Sequence, residues 1–386
     1  MKTPVGLVTA ALAVAILLAV SFLIATGTRG EAPAFGSSAG ELEVRTVARG
    51  LVNPWALAFL PDGTMLVTER PGRMRIVTSE GQVSPPLKGV PEVWASGQGG
   101  LLDVAADKSY AQNKTVYFCF AERTNGGGRT AVARGKLDSG RGQLDEIKII
   151  FRQQGPLSSG NHYGCRIAQA DDGNLFVTLG EHFAARDHAQ SLDNHLGKVI
   201  RIAPDGSVPA GNPFAGRADA KPEIWSYGHR NPQSLAIHPT TGELWEIEHG
   251  PRGGDEVNLI GKGKNYGWPV IGYGIDYSGA KIHDATAKDG MEQPLKYWVP
   301  SIAPSGMAFY TGKLFPKWNG SLFTGALRSA MLVRLTLNGN AVTSEERLLE
   351  NLHERIRDVR QGPDGALWLL TDSSNGRVLR VAPAAK

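Results

Sequence analysis

The stretch Trp55-Ala-Leu-Ala-Phe-Leu-Pro-Asp-Gly-Thr-Met-Leu-Val-Thr-Glu69, closed by Gly72-Arg-Met-Arg-Ile-Val77, decides the fold. Two apolar runs, each the length of one strand, flank the turn Pro61-Asp62-Gly63. Proline presets φ there, aspartate bonds the backbone two residues on, and glycine takes the left-handed position. The third run alternates arginine with apolar residues, the period-two mark of a strand with one covered face. The unit is an antiparallel meander.

The phrase recurs. A looser second copy combines residues 101–105 with 115–120, and a third runs over 166–178 and closes at 197–202. The fourth covers 234–247, a divergent fifth joins 306–310, 321–324 and 331–335, and the sixth runs over 356–370 and closes at 376–381. No copy can bury both faces of its own sheet, so neighbours must stack. The repeat predicts an all-β, six-bladed β-propeller of four-stranded antiparallel sheets over residues 41–386. Uneven spacing puts insertions between copies, the longest around 255–292. Loops at one end of such a ring are where chemistry is expected.

Composition agrees. Of 386 residues 41% are hydrophobic and 20% charged, enough for a large core. Glycine (48) and proline (23) are abundant without a collagen period, as many tight turns require. A net charge of +4 with no Lys/Arg-rich run excludes a nucleic-acid face. No GxGxxG opens a helix, and there is neither a GxSxG elbow nor a Walker loop, which argues against nucleotide cofactors and α/β-hydrolase chemistry. The two cysteines, Cys119 and Cys165, make neither a disulfide framework nor a zinc site. One bridge and two buried thiols both remain open.

Lys2 precedes a nearly unbroken apolar run over residues 5–25, followed by small residues over 32–40. Residues 1–40 read as an export signal or membrane anchor plus linker, since the run suits both cleavage and retention as a membrane tether. The remainder is expected to be periplasmic or otherwise extracytoplasmic.

Four polar, Gly-rich segments sit where loops leave blade strands. Asn161-His-Tyr-Gly-Cys-Arg166 places a histidine, a candidate general base, just before a strand. Tyr227-Gly-His-Arg-Asn-Pro-Gln-Ser234 offers Arg230, Asn231 and Gln233 on one rigid turn, suited to carbonyl or carboxylate oxygens. Glu248-His-Gly-Pro-Arg-Gly-Gly-Asp-Glu256 combines backbone carbonyls with Asp255 and Glu256, oxygen ligands of the calcium type without an EF-hand pattern. His353-Glu-Arg-Ile-Arg-Asp358 puts Arg355 and Arg357 on one side of a strand start, where with Arg230 and Arg328 they can meet a multi-carboxylate ligand. Taken singly, each also reads as an ordinary capping or salt-bridged turn.

Together the segments resemble the soluble PQQ-dependent glucose/sorbosone dehydrogenase family, and more closely its aldose sugar dehydrogenase branch. The resemblance spans nearly all of residues 42–383. It rests on Asn53-Pro-Trp-Ala-Leu-Ala-Phe-Leu-Pro-Asp-Gly63, Gly97-Gln-Gly-Gly-Leu-Leu102, Gly160-Asn-His162, Leu196-Gly-Lys-Val-Ile-Arg201, Gly228-His-Arg-Asn-Pro-Gln233, Gly250-Pro251 with Asp255-Glu256, Asn265-Tyr-Gly-Trp-Pro269, Ile302-Ala-Pro-Ser305 and Arg355-Ile-Arg-Asp358. Each motif is weak alone; nine in family order are specific.

The resemblance implies oxidation of aldose sugars to lactones with pyrroloquinoline quinone (PQQ) and Ca2+. It makes His162 the base for the anomeric hydroxyl, with hydride passing from C1 to the quinone, and Glu181 its acidic partner. Arg230 and Asn231 stabilise the developing oxyanion. Gln98, Gln233, Arg328, Arg355 and Arg357 join His162, Arg230 and Asn231 in holding the cofactor. The carbonyls of Gly250 and Pro251 take one calcium, and Asp255, Glu256, Tyr266, Asp276 and Glu292 a second, structural one. Electrons pass to an external acceptor, a quinone, cytochrome or dye, and relatives form homodimers. This chain departs from the glucose-specific members in three ways. Arg328 replaces a lysine, Glu181 replaces an aspartate, and the aromatic residue lining the glucose pocket is missing around 305–307, which favours broader aldose use. The competing readings are a calcium-dependent lactonase, which has no use for an arginine cluster, and a non-catalytic binding propeller, which leaves the His162 and Arg230 loops without purpose.

Overall fold

The computed structural model describes residues 35–157 and 159–385. The export segment lies outside them except for its last few residues. Among the described residues no helix is long and apolar enough to cross a membrane.

The six copies form six antiparallel sheets. The innermost strands are Pro54–Phe59, Leu101–Ala106, Gly164–Gln169, Pro232–Ile237, Pro304–Phe309 and Ile356–Gln361. Each touches the next and the last touches the first, so the sheets close a six-bladed ring. Five sheets have four strands. In the first blade the fourth position is filled by residues 83–87, which hang on the strand Arg73–Val77 through Ser84 N–H to Ile76 O and Leu87 N–H to Met74 O, both 2.8 Å. Closure uses the two ends of the repeat region. The strand Leu42–Leu51 pairs antiparallel with Gly376–Pro383, from Leu42↔Pro383 to Leu51↔Gly376, and completes the sixth blade.

Blade faces pack through fully buried apolar side chains such as Leu66, Phe118, Val177, Trp245, Phe323 and Leu369. At the centre of the ring the inner strands instead carry a four-charge network, with Arg166, Asp103 and Asp358 buried and Arg360 partly exposed. Arg166 reaches Asp103 at 3.1 Å and Asp358 at 3.0 Å, while Arg360 reaches the same two carboxylates at 3.3 and 3.0 Å. Leu57 N–H and Ile167 N–H donate to Asp358 and Asp103, so four blades are tied together.

Every inner strand is irregular at its first residues, with register shifts at Pro54/Ala56, Leu101/Val104, Pro232/Ser234, Pro304/Met307 and Ile356/Asp358, and opposite Val177/Leu179 in the third blade. Such bulges re-aim side chains at the rim of a sheet. They turn Trp55, Leu102, Gln233 and Arg357 into a cavity at one mouth of the ring. The question left open for the cysteines is settled: Cys119 and Cys165 form a disulfide between the second and third blades.

Candidate active site

The mouth holds two cavities, one with His249 and the other with Arg230 in its lining. The first, of about 480 Å³, is lined by Gln98, Asn231, Gln233, His249, Arg328, Arg355, Arg357 and Asp372, with Trp55 among its apolar walls. The second, of about 330 Å³, is lined by Glu181, Phe183, Arg186, Arg230, Pro251, Trp268, Asp276 and Tyr277.

His162 lies between residues of both: Gln98, Tyr163 and Gly164 line the first, and Glu181 and Phe183 the second. Its turn is contorted, with positive φ at His162 (53°), Gly164 (64°) and Cys165 (77°). The His162 N–H donates to Gln98 Oε1 at 2.9 Å, and the ring Nδ1 lies 2.8 Å from Glu181 Oε2. That carboxylate is fixed by the amide of Phe183 and by its own turn, where His182 and Phe183 are both left-handed. With Nδ1–H donating to Glu181, Nε2 is the basic nitrogen. Burial holds the His162 pKa below its usual value and Arg230 adds to this, against the opposing pull of Glu181. Burial alone raises Glu181, but His162, Arg230 and the Phe183 amide outweigh it and keep the carboxyl below its ordinary range. The pair is a neutral imidazole on an ionised carboxylate. The longer glutamate reaches its partner without loss of contact.

Arg230 is almost fully buried and stacks over Trp268, with its guanidinium 5.2 Å from the ring centre. Nη1 donates to Gly250 O at 2.8 Å and His249 O at 3.1 Å, while Nε has no acceptor among the described residues. Asn231 uses its side-chain oxygen on Gly164 N–H and Gln233 Nε2. Arg357 is largely buried, donates to Asp372 at 3.1 Å and to Gln233 Oε1 at 3.4 Å, and its Nε also has no acceptor among the described residues. Arg355 is more exposed and is held by Asp372 at 2.7 Å and Leu327 O at 3.0 Å. The large cavity gathers Arg357 with its orphaned Nε–H, Arg355 and Arg328, a set that fits a planar ligand with several carboxylates, while the orphaned Nε–H of Arg230 belongs to a residue lining the second cavity.

The metal candidates divide. Gly250 and Pro251 both line a small cavity with Glu256 and Tyr266. Gly250 O, however, accepts from Arg230, so a cation there shares its ground with a guanidinium and fits only together with an anionic ligand. Asp255 is consumed by the amides of Gly250, Ile302 and Ala303 and by the Ser301 hydroxyl. Asp276 closes an exposed turn with Ser278, and Glu292 pairs with Lys264 at 2.8 Å. Of the second set, Asp255, Asp276 and Glu292 thus engage protein partners, while Glu256 and Tyr266 line the small cavity with Gly250 and Pro251. Glu256 also faces Glu248 across two strands, as Asn258 faces Glu246, and His229 joins from the side. Burial and the charge of Glu248 push Glu246 and Glu256 well above ordinary carboxyl values. Glu246 Oε1 and Asn258 Oδ1 find no partner among the described residues.

Sequence reasoning passed over several residues of the site. Asp372, which orients both arginines, carries no local signal. His249 lies inside a segment singled out for its neighbours. It is fixed by Nε2 on Pro304 O at 2.6 Å, and burial drives its pKa down to about 3. Phe183 packs edge-on against His162 with ring centres 5.3 Å apart.

A propeller with a buried His–Glu pair and an arginine-lined cavity at its mouth has the machinery of an enzyme. The Glucose / Sorbosone dehydrogenase family model matches residues 51–380, and the chain belongs to that family of oxidoreductases. It is 46% identical over 346 residues to aldose sugar dehydrogenase YliI of Escherichia coli (strain K12), covering 89% of this chain and 93% of that protein. A crystal structure of a glucose dehydrogenase superposes with a TM-score of 0.86 at 50% identity, over 89% of this chain and all (100%) of that one. The PQQ-bound form of the aldose sugar dehydrogenase from Streptomyces coelicolor superposes with a TM-score of 0.73 at 31% identity, over 88% of this chain and 98% of that one.

Proposed function

We propose that the protein oxidises aldose sugars at the anomeric carbon to lactones, using PQQ and calcium, and passes the electrons to an external acceptor. The observation that carries this reading is the join of two chemistries at one mouth: a buried neutral base beside a cavity that gathers Arg328, Arg355 and Arg357.

PQQ, held with a calcium ion on the carbonyls of Gly250 and Pro251, supplies the two-electron oxidant and the Lewis acidity that activates it. The chain supplies the rest. The arginines and Gln233 hold the cofactor's carboxylates, with Asp372 fixing their direction. His162 Nε2 takes the proton of the anomeric hydroxyl, and Glu181 holds the ring in that tautomer and stabilises the imidazolium that forms. Arg230 and Asn231 donate to oxygen atoms that gain negative charge. The second cavity, walled by Phe183, Trp268 and Tyr277 and edged by charged groups, suits a sugar with apolar faces and polar rims. A second, structural calcium would be held by Glu256 and Tyr266 with Asp255, Asp276 and Glu292, and the buried carboxylates Glu246 and Glu248 beside Glu256 offer further oxygen ligands. Export through residues 1–40 places the propeller outside the cytoplasm.

The test is reconstitution of the purified protein with PQQ and CaCl2, followed by dye reduction with a panel of aldoses. Turnover that requires both additions supports the reading. No turnover, with no change in the PQQ absorption spectrum on mixing, overturns it.

A further inference from the structure

Cys165 occupies an unusual place in the repeat. It stands at the irregular start of the third inner strand, where Trp55, Leu102, Gln233 and Arg357 stand in other blades and line the arginine cavity. In the third blade the side chain turns sideways and is bonded to Cys119, in the strand Thr115–Thr124 of the second blade. Both cysteines are fully buried. Cys165 has φ of 77° and lies three residues after His162, in a turn where only Tyr163 among residues 162–165 lacks a positive φ. Only glycine adopts that region freely; any other residue remains there because its surroundings hold it.

Non-covalently the turn is held by His162 N–H on Gln98, the His162 ring on Glu181, His182 N–H on His162 O at 3.4 Å, the Thr130 hydroxyl on Tyr163 O at 2.8 Å, Gly164 N–H on Asn231 at a long 3.3 Å, and the pairing of Gly164 with Leu179. The seat is also tight, since a side chain added at Gly180 meets His162 O at 2.0 Å. If residue 165 relaxes to negative φ, Gly164 and Tyr163 rotate with it, and the ring of His162 leaves Glu181.

We propose that the Cys119–Cys165 disulfide is a positioning element for the base: by holding residue 165 left-handed it keeps His162 aimed. The inference rests on the reading of His162 as the base. It also ties catalytic competence to an oxidising compartment, where such bonds form and persist.

The experiment compares the wild-type protein with a Cys119→Ala, Cys165→Ala pair and a Cys119→Ala, Cys165→Gly pair, each reconstituted with PQQ and CaCl2. The alanine pair is expected to lose kcat by at least about tenfold, with KM and PQQ affinity within about threefold of wild type. The glycine pair, free to adopt φ near 77° yet not held there, is expected to fall between the two. Independently of turnover, the His162 imidazole titration followed by NMR is expected to rise toward an ordinary histidine value in the alanine pair, because a displaced ring regains solvent. Wild-type kcat and an unshifted His162 titration in the alanine pair, with only a lower Tm, overturn the proposal. If the alanine pair does not fold, the glycine pair decides: reduced kcat at unchanged PQQ affinity supports the role and wild-type kcat refutes it. Should the wild-type protein not turn over aldoses, the function assigned to the site fails, and the NMR comparison still decides the positioning claim.

Discussion

Glu181 Oε2 lies 2.8 Å from His162 Nδ1, and both groups are withdrawn from solvent. This contact fixes which ring nitrogen is free and offsets part of the penalty that burial imposes on a charged imidazole. Replacing Glu181 by Gln keeps a hydrogen bond but removes the charge. We expect kcat to fall by about 10²–10⁴-fold, in the range found when a histidine loses its carboxylate partner. The sign of the pH effect follows from the same contact. His162 acts when neutral, so activity falls as pH drops through its pKa, which burial already holds below the ordinary histidine value. Without Glu181 that pKa drops further. The acid limb of the kcat/KM profile is therefore expected to move to lower pH in Glu181→Gln, and an upward move would contradict the pairing.

Arg355 and Arg357 share Asp372 but differ in burial, and this separates their contributions. Arg357 is largely buried and its Nε has no acceptor among the described residues, whereas Arg355 is half-exposed and already spends its N–H groups on Asp372 and Leu327 O. We expect Arg357→Ala to weaken PQQ binding by about 10–100-fold and Arg355→Ala by less than about tenfold, because screening reduces the exposed contact. Arg357→Lys is expected to recover only part of the loss, since an ammonium cannot reproduce the fork. Equilibrium titrations with PQQ at low and high salt measure both effects, and equal losses at the two positions would remove the distinction.

The blades are legible in the sequence because their signals are local. Pro61-Asp62-Gly63 and its counterpart Pro363-Asp364-Gly365 mark turns, and alternation marks strands. Ring closure is not legible, because the pairing of Leu42 with Pro383 joins segments more than three hundred residues apart and leaves no pattern in either. Most of the mouth follows from motifs, since His162, Arg230, Gln233 and Arg357 all begin inner strands or the turns before them. Asp372 and Glu246 do not, because a carboxylate after a strand, or one alternating with apolar residues, reads as solvent-facing. Only the stacking of the neighbouring blade buries Glu246. Asp276 and Glu292 are ambiguous for another reason: acidic residues in a long insertion serve a turn or a surface pair as readily as a metal, and here they meet Ser278 and Lys264.

The four-charge network at the ring centre sets another expectation. Arg166 serves Asp103 and Asp358 and also donates to Gln233 O at 2.6 Å, all without solvent. Arg166→Met leaves two buried carboxylates with Arg360 alone, at a cost of about 3–5 kcal/mol. Adding Asp103→Asn removes one uncompensated charge and should return part of that stability. Urea unfolding of the single and double variants tests this, and a double variant less stable than the single one would show that Asp103 is not the stranded group.

Acid stability provides the last test. Burial lowers the pKa of His182 from 6.5 to about 4, although Glu181 pulls the other way. Its Nε2 lies 2.7 Å from Gln153 Oε1, an acceptor that suits the neutral ring with its proton on Nε2. Between those two values the unfolded chain binds a proton at this position and the folded one does not. Stability contributed here is therefore complete above about pH 6.5 and is lost as pH falls toward 4, by about 3 kcal/mol in all. His182→Gln retains a donor for Gln153 but cannot titrate. We expect it to flatten the decline in unfolding free energy between pH 6.5 and 4, even where packing against Tyr163 is worse and stability at pH 7 is lower. The remaining slope belongs to other buried histidines such as His249. A slope identical to wild type would mean that His182 does not stay neutral in the folded protein.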